Sequence, residues 1–283
     1  MIDLHSHLLP GLDDGAPDDR TALVMARAFW DQGVEVVACT PHILPGLYQN
    51  TGPAIRDALA AFQVRLEQED IPLRVVPGAD NHMVPDFVSQ LRSGHLLPLN
   101  DTRYVLVEPP HHVAPARLDE FFFGIVAAGY VPILTHPERL TWIRQSYDLI
   151  QRLGRSGVLM QITAGSLTGR FGREPRYWAE RLLDEGQVHI LASDAHDIDR
   201  RPPDLARGRD SAAKRVGDAE AQNLVFNRPV AILTNRAAAE LPAPNLAHSG
   251  GDDGDVSAFG SRTAQSGSPG GGFSQRLRRF LVG

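Results

Sequence analysis

The sequence predicts an α/β domain whose parallel strands close into a distorted barrel. Short, continuously apolar, β-rich runs recur from residue 1 to about residue 235. Amphipathic helical stretches alternate with them, as in a parallel sheet covered on both faces. About seven such βα units fit into this length, which suits a closed barrel better than an open sheet.

"MIDLH" reads as the first strand. "DRTALVMARAFWDQG" follows as a helix: Ala22, Met25, Ala26 and Phe29 recur at helical spacing, and Gly33 stands where a helix should stop. "VEVVACT" is the second strand, "GPAIRDALAAFQVRLEQED" the second helix and "LRVVPGA" the third strand. "YVLVEP", "VPILTH", "VLMQIT" and "VHILASD" continue the series, with "YDLIQRLGRSG" and "YWAERLLDEG" as helices ending in glycine. A late strand, "VAILT", is expected after Pro229. An open doubly wound sheet is the alternative. It calls for a glycine-rich phosphate loop after the first strand, and "LHSHLLPGLDDG" is not one.

The chain has 283 residues, 42% of them hydrophobic, enough for one large α/β domain or two small ones. A formal net charge of −6 offers no basic field for nucleic acid. Cys39 is the only cysteine, so no internal disulfide can form. No stretch approaches the roughly 18 apolar residues of a membrane span, and the N-terminus lacks the pattern of a signal peptide. These features lead us to expect a cytoplasmic protein. Near residue 240 the composition changes: "HSGGDDGDVSAFGSRTAQSGSPGGGFS" is poor in large apolar residues. We therefore expect a folded domain over 1–239 and a disordered tail over 240–283. "QRLRRFLVG" regains basic and apolar character and reads as a frayed end.

The chemistry collects at the strand ends. In "HSH", His5 and His7 are two residues apart, and on a strand such residues share a side. Asp13 and Asp14 follow shortly after. Later runs end in His42, Asp80, Glu108, His136, and the pair Asp194 and His196. Six strands thus deliver imidazole or carboxylate to one face, the face where barrels of this kind hold their active sites. Packing alone does not account for that, because buried His, Asp and Glu are costly unless paired or metal-bound. A mixed N/O set without thiolate suits Mn²⁺, Fe²⁺ or Zn²⁺, and this many ligands imply two or three ions. His189 begins its strand and reads as structural. His95 reads as a surface turn. His111 and His112 read as loop residues exposed near the mouth, and His82 stays ambiguous two residues from Asp80.

The chain resembles the PHP superfamily through His-x-His, "DDG", "TPH", the carboxylate after "VVPGA", "VLVE", "ILTHPER" and "ASDAHDIDRRPP". Within it, the sequence is most similar to the metal-dependent protein-tyrosine phosphatases of bacterial capsule and exopolysaccharide gene clusters. The resemblance runs from residue 1 to about 235. It implies a (β/α)₇ barrel and a centre of two or three divalent ions, manganese first, with iron or zinc as alternatives. One ion would take His5, His7, Asp80 and Asp194. A second would share Asp80 and take Glu108 and His136. A third would take Asp14, His42 and His196. Arg139 and Arg201 match the arginines that hold the phosphate, a task suited to the guanidinium fork. The family's bridging residue is glutamate where this sequence has Asp80, one methylene shorter, and His82 is placed to compensate. The implied substrate is a phosphotyrosine protein, in particular the tail of a tyrosine autokinase. The charge balance and the lack of a long apolar stretch lead us to expect no nucleic-acid partner and no integral membrane segment, and leave room for an oligomer.

Rival chemistries are constrained by single residues. A cysteine-dependent phosphatase needs an arginine six positions after its nucleophile, and Pro45 stands there relative to Cys39. Many amidohydrolases bridge two metals with a carboxylated lysine. Here the only lysine, Lys214, lies in a charged helix beyond "SDAH". A histidinol-phosphate or other small phosphomonoester phosphatase is the enzymatic alternative, and a metal-binding regulatory module the non-enzymatic one.

Overall fold

The structure, a computed structural model, describes residues 1–245. Its elements are β1 (Ile2–Ser6), α1 (Asp19–Asp31), β2 (Val36–Cys39), β3 (His42–Ile43), α2 (Gly52–Gln68), β4 (Arg74–Pro77), β5 (Asp80–His82), α3 (Phe87–Ser93), β6 (Tyr104–Glu108), α4 (Leu118–Ala127), β7 (Val131–Thr135), α5 (Tyr147–Arg155), β8 (Leu159–Thr163), α6 (Ala164–Leu167), α7 (Arg173–Asp184), β9 (Ile190–Ala192), α8 (Leu205–Gln222) and α9 (Arg228–Leu233). Ala22, Met25, Ala26 and Phe29 form the buried stripe of α1, and Asp18 caps that helix by accepting from Thr21 N at 2.8 Å.

All strand pairs are parallel. One sheet runs β1-β2-β4 and the other β3-β5-β6-β7-β8-β9. They are two parts of one ring. β3 resumes β2 beyond Thr40 and Pro41, and β5 resumes β4 beyond Gly78 and Ala79. Proline cannot donate to a ladder, so Pro41 interrupts its strand position there. The nine strands among the described residues thus occupy seven positions, the (β/α)₇ arrangement expected. The ring closes where β1 meets the segment after β9: Asp194 N donates to His5 O and His7 N to Ala195 O, both at 2.9 Å. Asp3, fully buried in β1, reinforces this seam by accepting from His5 N at 3.1 Å and from Ser193 N at 3.1 and 3.2 Å. Closure therefore fixes His5, His7, Asp194 and His196 against one another.

"VAILT" is not a strand. It lies in α9, which a π-helical segment (Asn223–Asn227) joins to α8. A run this short does not reveal its period. Pro229 sits in the first turn of α9, directly after the π-helical segment. Ala231, Ile232 and Leu233 are buried, and the helix packs against β1. Most of the expected tail lies outside the described residues. Of it only 240–245 fall within them, and Arg228 donates there to Pro242 O at 2.6 Å and Ala243 O at 3.0 Å.

Arg228 is fully buried and pairs with buried Glu220 at 2.7 Å, while also donating to His189 O at 3.3 Å. It ties α8, the start of β9 and residues 242–243 together. Removing one partner of such a pair strands the other charge. We predict that Arg228→Ala costs about 3–5 kcal/mol in urea unfolding. A loss below about 1 kcal/mol, the range of an exposed pair, would contradict this role.

Candidate metal centre

His5 lies in β1 with His7 just after it, His42 opens β3, Asp80 opens β5 and Glu108 ends β6. His136 follows β7, and Asp194 and His196 follow β9. Asp14 comes from the β1–α1 loop. The structure brings all nine predicted ligands into one cluster. His5 Nε2 stands 3.5 Å from Asp80 and 3.4 Å from Asp194, and His7 Nε2 stands 3.3 Å from Asp194. His42 Nδ1 is 3.5 Å from Asp80 and 3.4 Å from Glu108. Asp14 lies 3.6 Å from His42 Nε2 and 3.5 Å from His196 Nε2. His136 Nε2 is 3.6 Å from Glu108 and 3.9 Å from Asp80. Asp14, His42 and His196 therefore converge, as do His5, His7 and Asp80, each set within reach of a single ion.

Local backbone makes the convergence possible. His136 and Asp194 both adopt left-handed conformations, with φ of 33° and 52°. Such strain in non-glycine residues persists where the surroundings over-determine it. Gly15 lets the chain fold back onto His7: a Cβ there would stand 2.2 Å from His7 O.

The far ring nitrogens are held so that the near ones face the cluster. His5 Nδ1 bonds Gln161 Oε1 at 2.8 Å, His7 Nδ1 bonds Asp13 Oδ2 at 2.6 Å, and His196 Nδ1 bonds Asp194 O at 2.9 Å. Partners of this kind select the tautomer that leaves a lone pair for a metal. Both Asp80 oxygens, Asp194 Oδ1, His42 Nδ1, His136 Nδ1 and His196 Nε2 are buried without a hydrogen-bond partner among the described residues. Each such atom carries a desolvation penalty of about 1–3 kcal/mol or more. A concentration of them on imidazoles and carboxylates is what a divalent-ion site requires, so these residues fit bound metal.

The electrostatics agree. Burial pushes His5 down to about 4 and also lowers His42, His136 and His196, so these rings are neutral and ready to ligate. His7 is the exception: burial lowers it, but Asp13 and Asp194 outweigh that and raise it to about 10. Burial and the neighbouring Glu108 raise Asp80 well above the carboxylate range. Burial also raises Asp194, but Arg201, His5, His7 and Arg139 together hold it well below that range.

Both predicted arginines stand at the rim. Arg139 and Arg201 each donate to Asp194 Oδ2, on the carboxylate whose other oxygen faces His5 and His7. Arg139 lies over the Phe171 ring with 4.4 Å from Cζ to the centroid, which holds the guanidinium in place. Arg201 Nε is buried and lacks a hydrogen-bond partner among the described residues.

Several participants were not assigned from sequence. The sequence offers Asp13 only as a neighbour of Asp14. Gln161 had a signal, a lone amide inside the apolar run "VLMQIT", since a buried amide needs a partner. Phe171 had none. His111, read as an exposed loop residue, stands 3.4 Å from Glu108, and His82 pairs with the same carboxylate. By contrast, His95 is exposed, and His189 bonds Met160 N at 3.1 Å away from the cluster.

Comparison with known proteins places this geometry. The family model for capsular polysaccharide synthesis, CpsB/CapC, matches residues 1–234. The chain is similar to the tyrosine-protein phosphatase YwqE of Bacillus subtilis, 40% identical over 201 residues, covering 71% of this chain and 79% of that protein. It is 27% identical over 243 residues to the tyrosine-protein phosphatase CpsB of Streptococcus pneumoniae, covering 83% of this chain and 99% of that one. Among solved structures, it superposes with a TM-score of 0.81 and 36% identity on a chain from the crystal structures of those two proteins, metal-dependent tyrosine phosphatases, covering 84% of this chain and 96% of that chain. A variant of organophosphorus hydrolase from Deinococcus radiodurans shares the fold alone, with a TM-score of 0.50 and 14% identity over 82% of this chain and 92% of that one.

Metal loading of the cluster carries a proton signature. His7, raised to about 10, holds a proton at neutral pH that it must lose to ligate, and the upward shift of Asp80 likewise opposes its ligating form. The lowered imidazoles have none to lose. We predict proton release when chelator-stripped protein takes up metal at pH 7, with affinity rising as pH rises toward 10. Calorimetry in buffers of differing ionisation enthalpy measures this, and a buffer-independent heat would contradict it.

Proposed function

The chain belongs to the CpsB/CapC family of capsular polysaccharide synthesis, and on that premise we propose that it is a metal-dependent protein-tyrosine phosphatase acting on a tyrosine autokinase that regulates capsule or exopolysaccharide synthesis. The observation that carries this reading is the convergence of nine ionisable side chains at the strand ends, with Arg139 and Arg201 at the rim. In this reading the centre takes two or three divalent ions, manganese first, held by His5, His7, Asp14, His42, Asp80, Glu108, His136, Asp194 and His196. The protein works in the cytoplasm. No described helix is long and apolar enough to cross a membrane.

When bound, divalent ions supply charge neutralisation at the phosphoryl oxygens and lower the pKa of water at the site. The chain's own contribution is to place an anion against them. Arg139 and Arg201 approach Asp194 from the rim, so phosphate oxygens entering there meet two guanidinium groups fixed beforehand. The unpartnered Nε–H of Arg201 is a donor for such an oxygen. Because Arg139 rests on Phe171 and both arginines are held by Asp194, little reorganisation is needed when charge develops. Tyrosinate leaves readily, so the chain needs no strong acid at the leaving oxygen. A thiol mechanism has no support: Cys39 is buried in β2, and burial pushes its thiol up.

The test compares kcat/KM for a phosphotyrosine peptide, a phosphoserine peptide and histidinol phosphate on one preparation. Phosphotyrosine should lead. A clear preference for histidinol phosphate would move the protein to small-molecule metabolism while leaving the metal site standing. Arg139→Ala and Arg201→Ala should each cost about 2–4 kcal/mol of transition-state stabilisation, roughly 30- to 1,000-fold in rate. Metal content measured on the same samples should hold, and its loss would assign the arginines to structure instead.

A further inference from the structure

Glu108 is surrounded by more imidazoles than the nine-ligand set uses. Its Oε2 faces His82 and, at 3.4 Å, His42 Nδ1. Its Oε1 faces His111 at 3.4 Å and His136 at 3.6 Å. His42, His82 and Glu108 each offer a ligand atom within 4.8 Å of the others, and so do Glu108, His111 and His136. A carboxylate already oriented by two rings does not need four. His42 Nδ1, which faces Glu108 Oε2, is itself buried without a hydrogen-bond partner among the described residues.

The placement of His82 repeats that of "HSH". Asp80 and His82 are two residues apart on β5, so their side chains share a side, as His5 and His7 do at the end of β1. Asp80 is the short member of the cluster: its 3.9 Å approach to His136 exceeds its 3.5 Å contacts with His5 and His42. His111 stands on that under-reached side, with its ring 5.1 Å from that of His136, while His82 stands beside His42, 5.3 Å between ring centroids. They are also the more open ones, with side-chain exposures of 17% for His82 and 28% for His111 against 2% for His136.

Building on the metallophosphatase reading, we propose that His82 and His111 are metal ligands of this chain, extending the centre around Glu108 toward its mouth. The resulting set, four imidazoles about one carboxylate, suits Zn²⁺, Fe²⁺ or Co²⁺ and disfavours Mg²⁺ and Ca²⁺. The competing role is a hydrogen bond that merely orients Glu108. Glutamine separates the two roles, because its amide N–H can donate to Glu108 while the group is a poor metal ligand.

The experiment loads chelator-stripped full-length protein with Co²⁺. It reads bound metal per chain, affinity against a competing chelator, and the visible absorption of the bound ion. The samples are wild type, His82→Gln, His111→Gln, the double variant, and His112→Gln as a control. His112 is exposed and makes only a ring contact with His111. The proposal expects the double variant to lose one ion, or to bind its weakest ion at least about 100-fold less tightly, with an altered Co²⁺ spectrum. The control should match wild type. Unchanged stoichiometry, affinity and spectrum in the double variant would overturn the proposal. If the double variant does not fold, His111→Gln alone, on a loop, decides by the same readouts. Wild type that binds no metal would instead defeat the underlying metallophosphatase reading.

Discussion

Asp80, Glu108 and Asp194 put three buried carboxylates at one end of a barrel, and the rest of the structure answers to that. Charge removed from water is tolerated only against a partner of opposite sign or after neutralisation. The chain supplies two arginines and the raised proton affinity of His7, but several carboxylate oxygens and ring nitrogens still face inward unpaired. Divalent ions meet that need directly. The same excess of negative charge that makes the cluster costly therefore makes it a strong cation site.

The scaffold keeps that cluster from relaxing into ordinary ion pairs. Asp3 bolts β1 to Ser193, which aligns His5 and His7 with Asp194 and His196 across the seam. Gln161 and Asp13 hold the outer nitrogens of His5 and His7, so those rings cannot turn away. Glu138, buried beside His136, accepts from Thr163 N at 2.9 Å and Ser166 Oγ at 2.7 Å, tying the end of β7 to the end of β8. Phe171 then supports Arg139 from a neighbouring loop. Groups that would move if free are fixed before any phosphate arrives, which is where preorganised sites draw their advantage.

Much of this was legible because its signals are local. A run such as "VPILTH" carries both the apolar strand and the residue at its end, and repetition of that pattern reveals the common face. The "HSH" and "SDAH" spacings survive in one dimension for the same reason. What the sequence concealed depends on contacts across the ring. "VAILT" has the composition of a strand, yet its position after a π-helical turn and its burial against β1 make it helical. His111 stands only three residues after Glu108, yet the turn that aims its ring back at that carboxylate is not readable from its residues. Phe171 is an ordinary aromatic until Arg139 is found over it.

If the converged strand ends form a metal centre that hydrolyses phosphotyrosine, turnover must follow metal occupancy. The most direct measurement is a stepwise titration of divalent metal into chelator-stripped protein, following bound equivalents and turnover of a phosphotyrosine peptide together. We expect no turnover before metal is added, and activity that rises with occupancy to a plateau at two or more bound ions. Full turnover by the stripped protein, or activity that ignores occupancy, would contradict it.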